Sequence, residues 1–442
     1  MIRVRFAPNP GGYLSLSGAR VALLNFLHAR RFGGRFLLRF NDLDEDHARP
    51  AYSDAIVQDL RWLGIEWDDT LRQSDNLALY QQAIERLKQA GRLYPCFESE
   101  EELRAKREFR QKRGLPTLYD RAMLKLTPAQ RVAAEARGKR PHWRFQLSAR
   151  TVGWRDLALG ERQAKLQAIS DPVLVRADGA PTPLLAGVVD DMASGVTHII
   201  RSDESAGRTG VQIDLLDALG AEPNGLVFAH LPPLAETGTR RLARRINALS
   251  VRGLRGDGVE PLAIATCLCT GSQTVDPLPL NRLVQAFDLS RMTGGMPGFD
   301  AGRMLAMNGR LLSRLEFAAV ADRLPDGATE AFWMAIRGNL DLLNEVRGWW
   351  DVVAGSIVPP VMEEDRQFLA EAERALPPEP WDHTVWTTWM EALARSTGRE
   401  EDGVVQPLRL ALTGEENGPA LDALLPLMGR ARAVNRLQIA TA

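Results

Sequence analysis

The sequence predicts an α/β domain of the doubly wound type, interrupted by an α+β insertion and followed by an all-α C-terminal half. Three observations carry this. Residues 2–31 read as strand, Gly-rich turn and helix. Buried strands and amphipathic helices then alternate to about Ala229. Beyond about Leu280 no strand pattern persists, and helical spacing broken by proline pairs takes over. At 442 residues the chain has room for roughly two to four domains.

The elements follow in order. Ile2 to Ala7 form a short buried strand, and Asn9-Pro10-Gly11-Gly12 a turn that Pro and Gly geometry favours. From about Ser17, Val21, Leu24, Phe26 and Leu27 recur at helical spacing. Open α/β sheets present backbone N–H groups to phosphate at such corners, although many strand–turn–helix corners bind nothing. Residues 34–40 form a second buried strand ending in Asn41-Asp42-Leu43-Asp44, polar groups at the strand end where such sheets place their sites. Two amphipathic helices follow, over about 51–63 and 76–90.

From residue 99 to about 154 the character changes. Ser99-Glu100-Glu101-Glu102 starts a highly charged helix with a capping pattern, and Thr127-Pro128 starts another with Pro in the first turn. The sheet is expected to resume at 172–176 and, after a turn at Asp178-Gly179, at Val188-Val189-Asp190-Asp191. A strand over 196–201, a helix over about 209–219 and a last strand over 226–229 complete it. Residues 238–255 read as an exposed loop with six arginines. Helical periodicity covers 280–315, 330–353, 363–376 and 385–396, with Pro359-Pro360 and Pro377-Pro378 as breaks.

Net charge is −1, so contact with nucleic acid must come from local basic patches. No apolar run approaches the ~18 residues that span a bilayer, and the N-terminus enters a strand rather than a secretory segment. Three cysteines, Cys96, Cys267 and Cys269, suit a reducing cytoplasm; the latter two belong to an apolar helix over 261–270. Lysine is scarce, with six residues ending at Lys165, so arginine supplies most of the positive charge.

Arg5-Phe6-Ala7-Pro8, Asn9-Pro10, Gly12-Tyr13-Leu14 and Ser15-Leu16-Ser17-Gly18 together resemble the start of glutamyl-tRNA synthetases, class I enzymes in which Arg-Phe-Ala-Pro-Ser-Pro leads into Gly-Tyr-Leu-His-Ile-Gly. The resemblance continues through Pro407-Leu408-Arg409-Leu410-Ala411-Leu412-Thr413-Gly414 and Gly429-Arg430 and covers essentially the whole chain. It implies a Rossmann-type class I catalytic domain in two parts, 1–98 and 171–280, with an acceptor-end-binding-like insertion over 99–170. A helical anticodon-binding-like domain over 281–442 is implied as well.

The resemblance also implies roles. Adenylation builds negative charge on the phosphates of ATP, which calls for cationic donors and magnesium. The family's first histidine position is Ser15 here, which can donate a hydrogen bond but brings no charge. The family's Lys-Leu-Ser-Lys-Arg loop corresponds to Arg241-Leu242-Ala243-Arg244-Arg245; arginine keeps the charge but not the point-charge geometry. Arg5 and Arg201 match carboxylate-binding positions. Asn9 replaces a serine, Asn41 the glutamate that pairs with the substrate ammonium, and Pro183 a substrate-facing tyrosine. Asp44 remains, as does the pair Asp190-Asp191, which could be purely structural. For RNA, the arginine loop and Arg104 to Arg113 could contact phosphates, whereas Gly398-Arg399-Glu400-Glu401-Asp402 is acidic where the family is often basic.

These replacements favour a diverged paralog whose glutamylation is weak, altered or lost. The alternatives are an active glutamate–tRNA ligase, or an ATP-dependent ligase for a different acid or acceptor. ATP and Mg²⁺ are expected if it is active, with no zinc, since Cys96 lacks a second thiol nearby. Expected partners are tRNA, ATP and a small carboxylic acid, or another protein; a cytoplasmic monomer without membrane contact is expected.

Overall fold

The computed structural model describes residues 1–44, 46–221, 225–234, 236–237, 250–270, 276–292 and 299–441. The first sheet comes from β1 (Arg3–Phe6), β2 (Arg35–Phe40) and β3 (Asp69–Arg72), all parallel in the order β1-β2-β3. Between them run α1 (Leu16–Arg31) and α2 (Pro50–Trp62), and after them α3 (Leu77–Gln89). Val4, Phe36 and Leu38 are fully buried, as expected of parallel strands covered on both faces. β3 has no apolar alternation, because Asp-Thr-Leu-Arg stands at the sheet edge; for that reason the sequence pattern did not reveal it.

Between α3 and the later helices come β4 (Leu93–Cys96), α4 (Glu100–Lys112), α5 (Pro128–Ala136), β5 (His142–Phe145), the hairpin β6 (Thr151–Asp156) and β7 (Gly160–Lys165), and β8 (Val173–Val175). Both expected helix starts are present as capping boxes: Ser99 with Glu102, and Thr127 with Gln130. β4, β5 and β8 form an antiparallel sheet.

Then come α6 (Pro183–Ala193), β9 (His198–Ser202), α7 (Thr209–Ala218) and β10 (Val227–Leu231). The second sheet runs β7-β6-β10-β9, with β10 parallel to both β6 and β9. Thr197 sews the two sheets together. Its N–H donates to Arg3 O at 2.9 Å, Arg3 N–H donates to its Oγ1 at 2.8 Å, and its carbonyl accepts from Val227 N–H at 2.9 Å.

Three sequence expectations are corrected. Val188-Val189-Asp190-Asp191 is helix α6, not strand: Pro183 occupies the first helical turn, and Leu185, Ala186, Val188 and Val189 bury one helical face. The apolar run is too short to distinguish the two by pattern. The end of the arginine-rich stretch is a helix, Val251–Asp257, capped by Ser250; residues 238–249 lie outside the described residues. The span 280–315 is not one periodic run. It comprises helices Leu280–Ala286 and Ala301–Leu312 and a two-residue strand, Phe299–Asp300, paired with Glu236–Thr237.

The helix Pro261–Thr270 packs with Leu283, Phe287, Met304 and Leu305 beneath α1, in the core of the first sheet. Further on, the chain is helical among the described residues, with cores around Phe332, Trp333 and Ile336 and around Trp389, Leu393, Leu408 and Leu412.

Candidate active site

The C-terminal ends of β1, β2 and β9 bring together the residues that the sequence singled out for a carboxylate. Arg5 is buried, and its Nε donates to Asp191 Oδ1 at 3.1 Å. Arg39, one strand over, donates from Nη1 to the same oxygen at 2.8 Å and to Gly187 O at 3.1 Å. Burial pulls the Arg5 guanidinium below its ordinary pKa, Asp191 opposes that, and the charge of Arg39 adds to it. Asp191 therefore sits between two buried cations at the last turns of α6. Its neighbour Asp190 accepts from Gln73 Nε2 at 2.8 Å, Asn76 Nδ2 at 3.1 Å and Tyr80 O–H at 2.8 Å. Both acids are buried and fully engaged by neighbouring side chains, which makes them structural anchors behind β1 and β2.

Arg201, at the end of β9, donates from Nε to His230 Nε2 at 3.1 Å and from Nη2 to Thr209 Oγ1 at 3.0 Å. Burial first, and the nearby Arg5 charge next, lower its pKa to about 10. Among the described residues, Arg5 Nη1 and Nη2 and Arg201 Nη1 have no hydrogen-bond partner. Two guanidiniums on neighbouring strands thus hold donors in reserve. That suits a ligand carboxylate.

Position 41 is turned to a structural task. Asn41 Oδ1 accepts from Arg39 Nε at 3.2 Å, and its Nδ2 donates to Ala7 O at 3.2 Å. Asn9 is exposed in the turn after β1. Asp44 is exposed, and its carboxyl is held below the usual range by a hydrogen bond from His47. It lines a groove of about 700 Å³ with Asp42, Asp46 and Asp178 on one side of the charge balance and Arg176 on the other. Pro183 is exposed at the start of α6 and serves as its first-turn residue.

At the mouth of α1, Ser15 is the N-cap, and its Oγ accepts from Gly18 N–H at 3.1 Å. Leu16 is buried, Ser17 exposed, and a Cβ on Gly18 would stand 3.1 Å from Leu14 and 3.3 Å from Ser15 Oγ. The first turn carries no acidic side chain, so the positive end of the helix is left for an anion. Ser15 also forms an antiparallel bridge with Ser250, which brings the exit of the arginine-rich stretch to the first motif. Arg252 from that exit lies over the Tyr13 ring at 5.0 Å. Arg241, Leu242, Ala243, Arg244 and Arg245 themselves lie outside the described residues.

The insertion presents a groove of about 590 Å³ whose lining includes Arg107, Lys139, Arg140, His142, Arg144 and Arg176. Beside it, Cys96 Sγ meets Tyr119 O–H at 3.5 Å, Tyr119 donates to Glu98 at 2.6 Å, and Lys106 Nζ bridges Glu98 and Asp120. Burial pushes the Cys96 thiol up to about 11. No group of three or more His, Cys, Asp or Glu able to hold a metal occurs among the described residues.

Sequence reasoning missed Arg39, Asp156 and His230. For Arg39 and His230 a charged or imidazole residue inside an otherwise apolar strand was the available signal; Asp156, beside Arg155, offered none.

A family model for the class I tRNA synthetase catalytic domain of the E and Q type matches residues 1–291, and an anticodon binding domain model matches residues 360–441. The chain belongs to the glutamyl-tRNA synthetase family. It is 54% identical to glutamate–tRNA ligase 2 of Granulibacter bethesdensis, covering 99% of this chain and 98% of that protein. It is 52% identical to glutamate–tRNA ligase 2 of Acidiphilium cryptum, covering 99% of each. A crystal structure of a glutamate tRNA ligase from Elizabethkingia meningosepticum, in complex with its amino acid, superposes with TM-score 0.82 at 22% identity, covering 100% of this chain and 99% of that one. This last likeness shows the fold. No described helix of this synthetase-family chain is long and apolar enough to cross a membrane.

Proposed function

We propose that the protein is a glutamate–tRNA ligase: it activates glutamate with ATP and transfers it to tRNA. The observation that carries this is the pairing of Arg5 and Arg201 on neighbouring strands, each with an Nη atom that has no partner among the described residues, together with an α1 N-terminus whose first turn carries no acidic side chain. The arginines would fix a carboxylate, while the helix N-terminus would take phosphate. Chain-length identity of 54% with a protein named glutamate–tRNA ligase 2 supports active chemistry over the decay that Ser15 and Arg241 to Arg245 suggested. Magnesium would arrive with the phosphates of ATP as part of that substrate, and the basic groove of the insertion would meet the RNA backbone.

A second reading, activation of a different acid, draws on Asn41. Its side chain is committed to Arg39 and Ala7, and it supplies no anion for an ammonium group. Pyrophosphate exchange with glutamate, with and without bulk tRNA, separates the two. Glutamate-dependent exchange and charged tRNA are expected. Silence with glutamate but exchange with another carboxylic acid would replace the first reading by the second.

A further inference from the structure

The mechanism above uses Arg201 but not the buried pair behind it. His230, on β10, is 0% exposed and Asp156, at the end of β6, is 2% exposed. Asp156 Oδ2 is hydrogen-bonded to His230 Nδ1. Its Oδ1 accepts three backbone N–H groups, from Ala158 at 3.0 Å, Leu159 at 3.0 Å and His230 itself at 3.2 Å. Burial penalises this carboxylate, yet the hydrogen bonds outweigh it and hold the pKa at about 2.

We propose that Asp156 and His230 are positioning residues for Arg201, with Asp156 fixing His230 in the tautomer whose Nε2 lone pair receives the Arg201 Nε–H. An ionised carboxylate only accepts, so the ring proton resides on Nδ1. The neutral imidazole then offers a lone pair at Nε2, 3.1 Å from Arg201 Nε and 3.1 Å from Thr209 Oγ1. Thr209, itself 0% exposed, accepts from Arg201 Nη2 at 3.0 Å, and its hydroxyl proton can point only toward the imidazole within this set. The guanidinium is thereby gripped along its Nε–Nη2 edge, which leaves Nη1 without a partner among the described residues. A neutral ring orients the guanidinium without cancelling its charge, which stays available for a carboxylate. The opposite tautomer would set two N–H groups against each other.

The inference rests on the reading of Arg201 as a carboxylate ligand, and Asp156→Asn tests it sharply. The three backbone N–H groups would hold the amide oxygen where Oδ1 stands. The NH₂ group would then face His230 Nδ1, pushing the ring proton to Nε2, toward Arg201. Long-range ¹H–¹⁵N NMR of the full chain is expected to show Nδ1–H for His230 in the wild type and Nε2–H in Asp156→Asn. The Arg201 Nε–H should be protected from solvent exchange in the first and exposed in the second. In pyrophosphate exchange, KM for glutamate should rise at least tenfold with KM for ATP within twofold. His230→Gln, which keeps an acceptor, should recover more than half of the affinity that His230→Ala loses. An Nε2–H or doubly protonated ring in the wild type, or a folded Asp156→Asn with unchanged Arg201 protection, overturns the inference. If the wild type gives no exchange with glutamate, the functional reading fails; the tautomer and protection measurements still decide the inference.

Discussion

Ser15 and Ser250 are bridged as antiparallel neighbours, and the next residue along, Val251, donates its N–H to Leu14 O at 3.1 Å. The N-terminus of α1 is therefore clamped to the helix that closes the arginine-rich stretch, although 235 residues of sequence numbering separate Ser15 from Ser250. Each serine also caps its own helix, through Gly18 N–H and Gly253 N–H. The hydroxyl at position 15 thus has a conformational task whatever its part in catalysis.

Removing that cap should be measurable. Ser15→Ala is expected to lower stability by about 1 kcal/mol and Ser15→Gly by only a few tenths, because glycine is itself tolerated at an N-cap. Urea denaturation of the two variants checks the order; equal losses would mean that the cap does not hold α1.

Asp191 offers a larger effect. It is the common anion of Arg5 and Arg39, both nearly solvent-free. Asp191→Ala leaves two buried guanidiniums facing each other and is expected to destabilise the protein by about 3–5 kcal/mol. Asp191→Asn keeps an acceptor and should cost less. Thermal unfolding of both variants tests the ranking.

Acid sensitivity has an identifiable source. His28 on α1 is buried against His198, ring centroids 5.1 Å apart, and neither of its nitrogens finds a partner. Burial first, and the neighbouring His198 next, lower its pKa from 6.5 to about 4. The folded state therefore disfavours the proton. The contribution is intact above about 6.5 and is lost as pH falls toward 4, by roughly 3 kcal/mol in full. Denaturation midpoints at pH 7 and pH 4.5 should converge in His28→Phe relative to the wild type.

Asp59 works in the opposite direction. Burial raises its carboxyl from 3.8 to about 6 despite the nearby Arg252 and Arg255. Folding favours the protonated form, so its contribution is full below 3.8 and is lost as pH rises through 6, again by roughly 3 kcal/mol at most. Asp59→Asn should gain stability at pH 8 and little at pH 4.5; a gain of equal size at both would refute a titrating origin.

The insertion's groove makes a prediction about RNA. Arg107→Ala and Arg140→Ala should each weaken tRNA binding and flatten the dependence of log K on log salt by about 1. Filter binding across a salt series distinguishes this from a solvated charged helix, which would leave the slope alone.

What the sequence disclosed depended on distance along the chain. Ser99 and Glu102 sit three apart and Pro128 directly follows Thr127, so both helix starts were readable. The apolar helix Pro261–Thr270 was equally plain. Asp190 and Asp191 misled, because six preceding residues without a charge fit a buried strand as well as a helix face. The pairing of His230 was not readable: its partner Asp156 lies 74 positions away, and one sequence contains no record of such a contact. The arginines of the pocket were found through family resemblance; their bonds to Asp191 and His230 came only with the fold.

The seam at Thr197 bears on how the protein is made. It joins Arg3 to a residue 194 positions later, and Arg5 and Arg201 acquire their mutual alignment only once it closes. During synthesis the N-terminal strand, once paired with β2, must therefore wait for about 150 further residues before its second neighbour leaves the ribosome. A nascent chain halted before residue 197 would carry Arg5 on a strand with one edge unguarded, which is a natural target for chaperone capture.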